Sequence, residues 1–409
     1  MKAEELVLYH TLPNGLRIVY RHCDSSVEYC GVAVNVGSRD EQCDEYGLAH
    51  FVEHTIFKGT EHRKSWHIIN RMESVGGELN AYTTKEETVL YSIFPQGNLT
   101  RAVDLIADLI INSRFPSAEL EKERAVVTDE INSYLDTPSE AAYDDFEDLL
   151  FKGSQLGHNI LGNVDTLNNI TSSTCKSYLQ QFYTAPNMVF FYMGATSASK
   201  VFKTVEKYLA TLSPHQPSRQ RIVPPQAPRF EIKREIESHQ SHTIIGARLP
   251  GLYSPQRYTI ALLANILGGP GMNSMLNVSL REKRGLVYTV EASTAAFSDS
   301  GALMIYFGCD HNDVNKCNRL ISGILSRLAE SPLSVRSIDA AKKQYLGQLA
   351  VSSDNREQAA ISTARAMLYH GEISSAQELR DKIMRITPQD ILDVAQLIIP
   401  EKCSTLTLG

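Results

Sequence analysis

The order of apolar and polar residues in the first half of the chain predicts a mixture of strands and helices. Two strand-like runs, 6–12 and 16–21, flank Pro13-Asn14-Gly15, a turn signal that predicts a β-hairpin. A third strand is predicted at 31–37. Further strands are predicted at 77–84, 87–94 and 188–195, and helices at 48–58, 65–75, 99–112, 118–135, 139–151, 164–168, 171–182 and 197–212. Because strands and helices do not alternate regularly, the pattern indicates an α+β fold.

The composition changes at 213–228, a stretch that contains five of the 16 prolines and that we predict to be a semi-rigid linker. After the linker the plan of the first half repeats. Strands are predicted at 230–236, 241–249 and 301–310, and helices at 255–267, 312–329 and 335–350. This diffuse repeat of about 200 residues predicts two homologous domains, 1–212 and 229–409.

Length and charge limit the classes of function. A chain of 409 residues is too long for one compact core and suits two domains of about 200 residues. A hydrophobic share of 43% and a charged share of 21% are typical of globular proteins. The net charge of −7 and the pI near 6.0 argue against a nucleic-acid binder or a binder of anionic membranes, because such proteins usually carry a basic surplus.

The sequence also predicts a cytoplasmic protein. Its N-terminus lacks an apolar signal core, and no stretch approaches the roughly 20 apolar residues of a membrane span. The cysteines are odd in number and form no C-x-x-C pair, which indicates reduced, buried thiols. They are Cys23, Cys30, Cys43, Cys175, Cys309, Cys317 and Cys403. A metal cluster of the first three would require that folding bring them together.

The strongest chemical motif is the pentapeptide His50-Phe51-Val52-Glu53-His54. In a helix that begins after the acidic turn RDEQCDEYG and ends near Gly59, His50 and His54 lie one turn apart on the same face, with Glu53 beside them. The order H-x-x-E-H is that of a zinc hydrolase with two histidine ligands and a free glutamate base. The alternative is an ordinary polar face of an amphipathic helix.

Such a site needs a third ligand from elsewhere in the chain. Glu130, on the helix predicted at 118–135, is a candidate. Glu123 lies seven residues earlier, two turns away on nearly the same face, and could support the site from outside the ligand set. From spacing alone, both glutamates could equally belong to a solvated acidic surface.

Several motifs together resemble the M16 metallopeptidases. This family comprises pitrilysin, insulinase and the mitochondrial processing peptidases, and the 45.5 kDa chain is similar to its bacterial branch. There H-x-x-E-H is followed by E-R-x-V-V-x-x-E-I, which stands here at 123–131. Other matches to the family pattern lie at 57–60, 76–83, 161–162 and 281–288.

The resemblance implies a fold and a metal site. Each half would be a pair of ferredoxin-like α+β units, the LuxS/MPP-like metallohydrolase fold. The first half would hold Zn²⁺ through His50, His54 and Glu130, and Glu53 would be the general base that takes a proton from the attacking water. The second half has apolar residues at 260–264 where the first half has its histidines, so one site is expected per chain.

The resemblance also implies residues that bind the substrate. A peptide would add as an extra strand beside 76–83, held by main-chain groups of Asn80 and Ala81. The alternative there is a plain sheet strand. Arg281 and Tyr288 match an arginine–tyrosine pair that contacts substrate in relatives; the alternative is surface charge and a core tyrosine. The glycine-rich stretch 268–271 lacks the lysine of a phosphate loop, and is either a turn or a loop that contacts substrate.

From the resemblance we predict a zinc endopeptidase that cleaves unfolded peptides or short polypeptides inside a closed chamber. A non-catalytic partner subunit is the main alternative, although intact ligands count against it. Zinc-dependent hydrolysis of a non-peptide bond fits the chemistry but not the chamber. Relatives enclose substrate with four homologous domains, so a chain of two domains is expected to form a homodimer or to pair with a related M16 subunit.

Overall fold

The computed structural model describes residues 6–409, except for the side chain of Leu135. Residues 1–5 lie outside the described part, and with them lies part of the N-terminal stretch in which no secretory signal was expected. In that described part, no helix is both long and apolar enough to cross a membrane.

The chain forms two compact units, and each contains a mixed β-sheet. The first sheet has the order β1-β2-β6-β3-β5-β4, and the second has the order β7-β11-β8-β10-β9. The strands are β1 Val7–Thr11, β2 Arg17–His22, β3 Val27–Val34, β4 Glu78–Thr83, β5 Thr88–Pro95, β6 Met188–Gly194, β7 Glu231–Arg234, β8 Ser241–Leu249, β9 Val287–Ala296, β10 Gly301–Cys309 and β11 Ser404–Leu408. In both sheets one pair is parallel, β2 with β6 and β7 with β11, and the remaining pairs are antiparallel.

The two sheets repeat one plan. Without β1, the order of the first sheet corresponds strand by strand to the second, with the same parallel and antiparallel neighbours. The edge strand β4 of the first sheet corresponds to the edge strand β9 of the second. The predicted duplication and the predicted α+β class are both confirmed.

The helices cover both faces of each sheet. They are α1 Leu48–Thr55, α2 Ser65–Glu73, α3 Leu99–Asn112, α4 Ser117–Leu135, α5 Pro138–Leu150, α6 Val164–Asn169, α7 Ser172–Phe182, α8 Ala198–Leu209, α9 Arg257–Gly268, α10 Val314–Glu330, α11 Val335–Ser352, α12 Arg356–His370, α13 Ala376–Met384 and α14 Pro388–Ala395. Short 3₁₀ turns at Ser38–Asp40 and Ile56–Lys58 flank α1. The predicted hairpin around 13–15 and the predicted helix of the two histidines are confirmed.

Two helices are exchanged between the sequence halves. Helix α5 follows α4 in the first half, yet Phe146 and Leu150 of α5 pack on the second sheet. Helix α12 lies in the second half, yet Ile361 and Met367 of α12 pack on the first sheet. The first unit therefore consists of residues up to Ile131, Asn159–Arg221 and Ser353–Ile373. The contiguous boundaries at 212 and 229 stay a prediction.

The structure differs from the sequence analysis in several elements. The sequence pattern predicts no strand at β9 and no element after residue 350, where the structure has α12, α13, α14 and β11. The stretch 213–228 has no helix or strand, as expected of a linker, but its Arg221 is anchored to Asp40. The cysteines are all unpaired, as expected, but Cys43 is exposed and not buried.

Candidate metal centre

Helix α1 brings the two histidines of the pentapeptide together on its buried side. Their ring centroids lie 4.5 Å apart, as expected for positions one turn apart in a helix. The neighbouring Phe51 and Val52 are fully buried in the core, so the helix has little freedom to rotate. The structure thus places His50 and His54 in a helix, as predicted.

Glu130 on α4 faces both histidines. Its Oε2 lies 3.7 Å from Nε2 of His50 and 3.6 Å from Nε2 of His54. The three ligand atoms lie within 4.8 Å of one another, and in residues 6–409 no other group of three His, Cys, Asp or Glu side chains converges in this way. The three cysteines Cys23, Cys30 and Cys43 therefore do not form a metal cluster.

The donor set fits Zn²⁺. A tetrahedral zinc with bonds of about 2.0–2.2 Å to nitrogen and oxygen holds its ligand atoms about 3.3–3.6 Å apart, close to the separations seen around Glu130. Two imidazoles and one carboxylate are also the ligands of catalytic zinc sites that keep a fourth position open. The side chains of His50, His54 and Glu130 would hold the metal.

Burial keeps the first histidine neutral. It lowers the pKa of His50 to about 3, and the neighbouring His54 also lowers this pKa. Since a metal ligand must be deprotonated, this environment favours the ligating form. Nε2 of His50 faces Glu130 and is therefore its candidate ligand atom, whereas Nδ1 has no hydrogen-bond partner within residues 6–409.

Glu123 fixes the second histidine. Its Oε2 lies 3.4 Å from Nδ1 of His54, and its Oε1 lies 2.6 Å from Nζ of Lys58. A carboxylate can only accept here, so Nδ1 of His54 carries the proton and Nε2 is free to ligate. The structure therefore places Glu123 where the sequence analysis expected it. The contribution of Lys58, which orients Glu123, was not foreseen.

Glu53 lies beside the ligands and next to the end of β4. Burial raises the pKa of Glu53, while the neighbouring Thr83 and His54 oppose part of that rise. Helix α1 packs against β4, so this carboxylate sits between the three ligands and the edge of the sheet. Thr83 is a contact that the sequence analysis did not single out.

The open edge of β4 can be assigned from its register. The N–H of Thr84 donates to the carbonyl of Glu87 at 2.8 Å, so these two residues form a hydrogen-bonded pair. Bonded and non-bonded pairs alternate in an antiparallel ladder, and Asn80 and Tyr82 therefore direct their backbone groups to β5. The backbone groups that face the open edge belong to Leu79, Ala81 and Thr83, so the predicted main-chain contact with substrate fits Ala81 and not Asn80.

Arg281 and Tyr288 lie together in the second unit. They line one surface cleft of about 300 Å³, which also contains the glycine-rich stretch 268–271. Arg281 lies on a short π-helix, Asn277–Glu282, and Tyr288 lies at the start of β9 with its hydroxyl donating to Asp310 at 2.9 Å. Tyr288 is 57% exposed and so is not the core tyrosine of the alternative interpretation.

Comparison with known families gives matches along most of the chain. Residues 17–164 match the family described as Insulinase (Peptidase family M16), and residues 169–345 match the family described as Peptidase M16 inactive domain. The first match contains the three candidate ligands and Glu53. The second match agrees with the expectation that the second half has no metal ligands.

Relatives with similar sequences carry the name zinc protease. The chain is 30% identical to an uncharacterized zinc protease of Streptomyces coelicolor, over 98% of this chain and 88% of that protein. It is 31% identical to one from Mycobacterium leprae, over 98% and 91%, and 28% identical to one from Bacillus subtilis, over 97% and 96%.

Solved structures show the same fold. A protease from Helicobacter pylori aligns with a TM-score of 0.90 at 20% identity, covering 99% of both chains. A peptidase M16 inactive domain from Pseudomonas fluorescens aligns with a TM-score of 0.92 at 17% identity, covering 99% of this chain and 98% of that one. The two family matches, together with the relatives named zinc proteases, establish that the chain belongs to peptidase family M16.

Proposed function

We propose that this protein is a zinc-dependent endopeptidase that cleaves unfolded peptides or short polypeptides. The observation that carries the proposal is the position of Glu53, which lies between a ligand set for zinc and the open edge of β4. A hydrolase of a non-peptide bond would have no use for that edge. The unpaired state of the cysteines supports a reducing compartment such as the cytoplasm.

The chain's own residues divide the work of hydrolysis. When bound, zinc lowers the pKa of water from about 15.7 to about 7 and polarises a substrate carbonyl. Glu53 takes a proton from the attacking water and gives it to the leaving amine, the usual sequence of a general base that becomes a general acid. Glu123 and Lys58 hold His54 in the correct tautomer.

The edge of β4 orients the substrate. A peptide that adds as an antiparallel or parallel strand would hydrogen-bond to the backbone groups of Leu79 and Ala81, whereas the N–H of Thr83 faces Glu53. Recognition through the main chain requires an extended, unfolded segment of substrate. It imposes little preference for the sequence of that segment. Because Thr83 also contacts Glu53, a strand bound here passes directly beside the base.

A digest of a library of unstructured peptides, analysed by mass spectrometry with and without chelator, tests the proposed function. Cleavage within the peptides that is lost with chelator and restored by Zn²⁺ supports the endopeptidase. Removal of terminal residues only would indicate an exopeptidase. The absence of any cleavage by pure protein, with cleavage after a second M16 chain is added, would indicate the partner subunit.

We expect one tightly bound zinc per chain. The first unit brings three ligands together, whereas the second unit has apolar residues in the corresponding helix α9. Elemental analysis of protein purified without chelator should give a zinc-to-chain ratio near one. A ratio near zero after incubation with zinc, or near two, would contradict this expectation.

Arg281→Ala and Tyr288→Phe should each lower kcat while zinc content stays the same. An arginine and a phenol can stabilise negative charge that develops on the substrate in the transition state, and such groups act on kcat. Tyr253→Phe, at an exposed tyrosine elsewhere in the second unit, provides a control for the loss of a phenolic hydroxyl. Full activity of both variants would rule out this role.

We further propose that the active assembly is a homodimer. A closed chamber built as in relatives needs four homologous domains, and this chain supplies two, so a second copy related by a twofold axis completes it most simply. Light scattering of the active protein should therefore give twice the chain mass. A fully active monomer would exclude the chamber, and activity restricted to a mixture with another M16 chain would indicate a heterodimer.

A further inference from the structure

Residues 38–41 form a run of buried polar side chains between β3 and α1. Ser38 and Arg39 are completely buried, and Asp40 and Glu41 are 9% and 5% exposed. Arg39, Asp40 and Glu41 begin the acidic turn RDEQCDEYG, whose composition suggests an ordinary surface loop. Buried charges are costly unless each of them is paired, so the contacts of this run indicate what it holds in place.

Glu41 holds the start of helix α1. Its Oε1 accepts a hydrogen bond from the N–H of Ala49 at 2.7 Å, and its Oε2 accepts one from the N–H of Gly47 at 3.0 Å. The first N–H groups of a helix have no partner inside the helix, and a carboxylate also suits the positive end of the helix dipole. His50 is the residue that follows Ala49, so Glu41 acts one residue away from a ligand.

The helix has no cap of its own. Gly47 occupies the cap position with φ of 95°, a conformation that favours glycine, and it has no side chain to accept a hydrogen bond. A Cβ at this position would lie 2.6 Å from the carbonyl oxygen of Leu161. The site therefore excludes the usual serine, threonine or aspartate cap, and Glu41 supplies the missing acceptor from outside the helix.

The same run holds the tip of the β4–β5 hairpin. The N–H groups of Ser38 and Arg39 donate to the carbonyls of Thr84 and Lys85, at 3.2 Å and 2.8 Å. Nη1 of Arg39 donates to Oε1 of Glu86 at 2.6 Å, an ion pair with both partners buried. Thus one run of four residues bonds both to the metal helix and to the hairpin that carries the open edge.

Arg221, from the stretch 213–228, also binds the run. The guanidinium of Arg221 donates to both carboxylate oxygens of Asp40, at 3.0 Å and 2.7 Å, and to the carbonyl of Glu86 at 3.1 Å. Asp40 also accepts from the N–H of Gly37 at 3.1 Å. Arg39 and Asp40 thus each have a partner of opposite charge, and Glu41 accepts from two backbone N–H groups. Such a network fixes geometry more than it adds stability.

We propose that residues 38–41 form an alignment segment, which holds the helix of the two histidines and the edge hairpin in one geometry. In this segment Glu41 is a positioning residue for His50, and Arg39 is a positioning residue for β4. The role of Glu41 rests only on metal binding, whereas the role of Arg39 rests on the proposed peptidase function.

The first experiment measures the metal site without any substrate. Zn²⁺ affinity is determined by competition with a chromophoric chelator, and the ligand geometry is followed by the visible spectrum of Co²⁺-substituted protein. Glu41→Gln keeps the volume but places an N–H group against a helix N–H, and should weaken Zn²⁺ binding about tenfold and change the Co²⁺ spectrum. Glu41→Asp keeps the charge but is one methylene shorter, and should show a smaller loss.

Wild-type affinity and spectrum in both folded variants would overturn the role of Glu41. Glu41→Asp decides the question alone if Glu41→Gln does not fold. Thr387→Ala is the control for a lost helix cap, because it removes an acceptor from α14 in the second unit. It should lower the midpoint of thermal unfolding and leave Zn²⁺ affinity unchanged.

The second experiment distinguishes an effect on the β4–β5 hairpin from an effect on metal binding. Glu86→Gln removes the charge that pairs with Arg39 but keeps an acceptor, and should raise KM for peptides several-fold with Zn²⁺ affinity unchanged. An unchanged KM, or a Zn²⁺ loss equal to that of the Glu41 variants, would overturn the separate role of Arg39. If the wild-type protein cleaves no peptide, the proposed function fails, and the Zn²⁺ measurements still decide the role of Glu41.

Discussion

Replacing Glu53 with glutamine should leave zinc bound and lower kcat for peptide hydrolysis by about 10²–10⁴-fold, the usual contribution of general acid–base catalysis. Glutamine has nearly the same size and keeps an oxygen near Thr83, so the packing of α1 against β4 should survive. It cannot take a proton from the attacking water. Because none of the three ligands is changed, metal content should match the wild type.

The measurement is steady-state hydrolysis of one internally quenched peptide, with zinc content determined on the same sample. Glu73→Gln is a suitable control, because Glu73 is an exposed residue at the end of α2 and the same chemical change is made away from the site. A Glu53→Gln enzyme that retains near wild-type kcat would show that another group is the base. A variant that loses zinc would show that Glu53 supports the ligands and would leave its role as a base without support.

The metal helix could be predicted because its information is local. His50, Glu53 and His54 are placed by the 3.6-residue period of one helix, which the apolar spacing of 48–58 already indicates. Glu130 could be named only as a candidate from spacing. Its approach to the histidines depends on how α4 packs, which the local pattern does not contain.

The exchange of helices α5 and α12 could not be predicted from the pattern. Each helix has an apolar stripe that fits the face of a sheet, but nothing in the stripe states which of two similar sheets it covers. Because the two units repeat one plan, both sheets offer comparable faces. Only the complete fold selects the partner, and the compact units are consequently discontinuous in sequence.

The burial of Arg39, Asp40 and Glu41 was also beyond the sequence pattern. Three consecutive charges usually mark a solvated turn, and the sequence pattern predicts only an acidic turn before α1. Their partners Glu86 and Arg221 are distant in sequence, so each pairing is a tertiary contact. Cys43, two residues later, is exposed, which contradicts the expectation that all the cysteines are buried.

Glu130→Gln should reduce Zn²⁺ affinity far more than Glu123→Gln, although both variants make the same chemical change on one helix. Oε2 of Glu130 faces Nε2 of both histidines, so the substitution removes a charged ligand. Glu123 instead contacts Nδ1 of His54 and Nζ of Lys58. Loss of such outer support costs about 10–100-fold in metal affinity, and loss of a ligand should exceed that range.

Competition with a chromophoric chelator measures both variants on one scale, and Glu121→Gln controls for the loss of an exposed carboxylate from α4. The order of the two Zn²⁺ affinities tests the ligand assignment, because both glutamates are close to His54 and differ only in whether they are assigned as ligands. Glu130→Gln should also lose peptidase activity that added zinc restores incompletely. Equal affinities of the two variants would mean that Glu123 is a ligand too, and weaker Zn²⁺ binding by Glu123→Gln than by Glu130→Gln would reverse the assignment.

Lys58 offers a further check. Lys58→Met should resemble Glu123→Gln in Zn²⁺ affinity if Lys58 acts only by holding that carboxylate against His54.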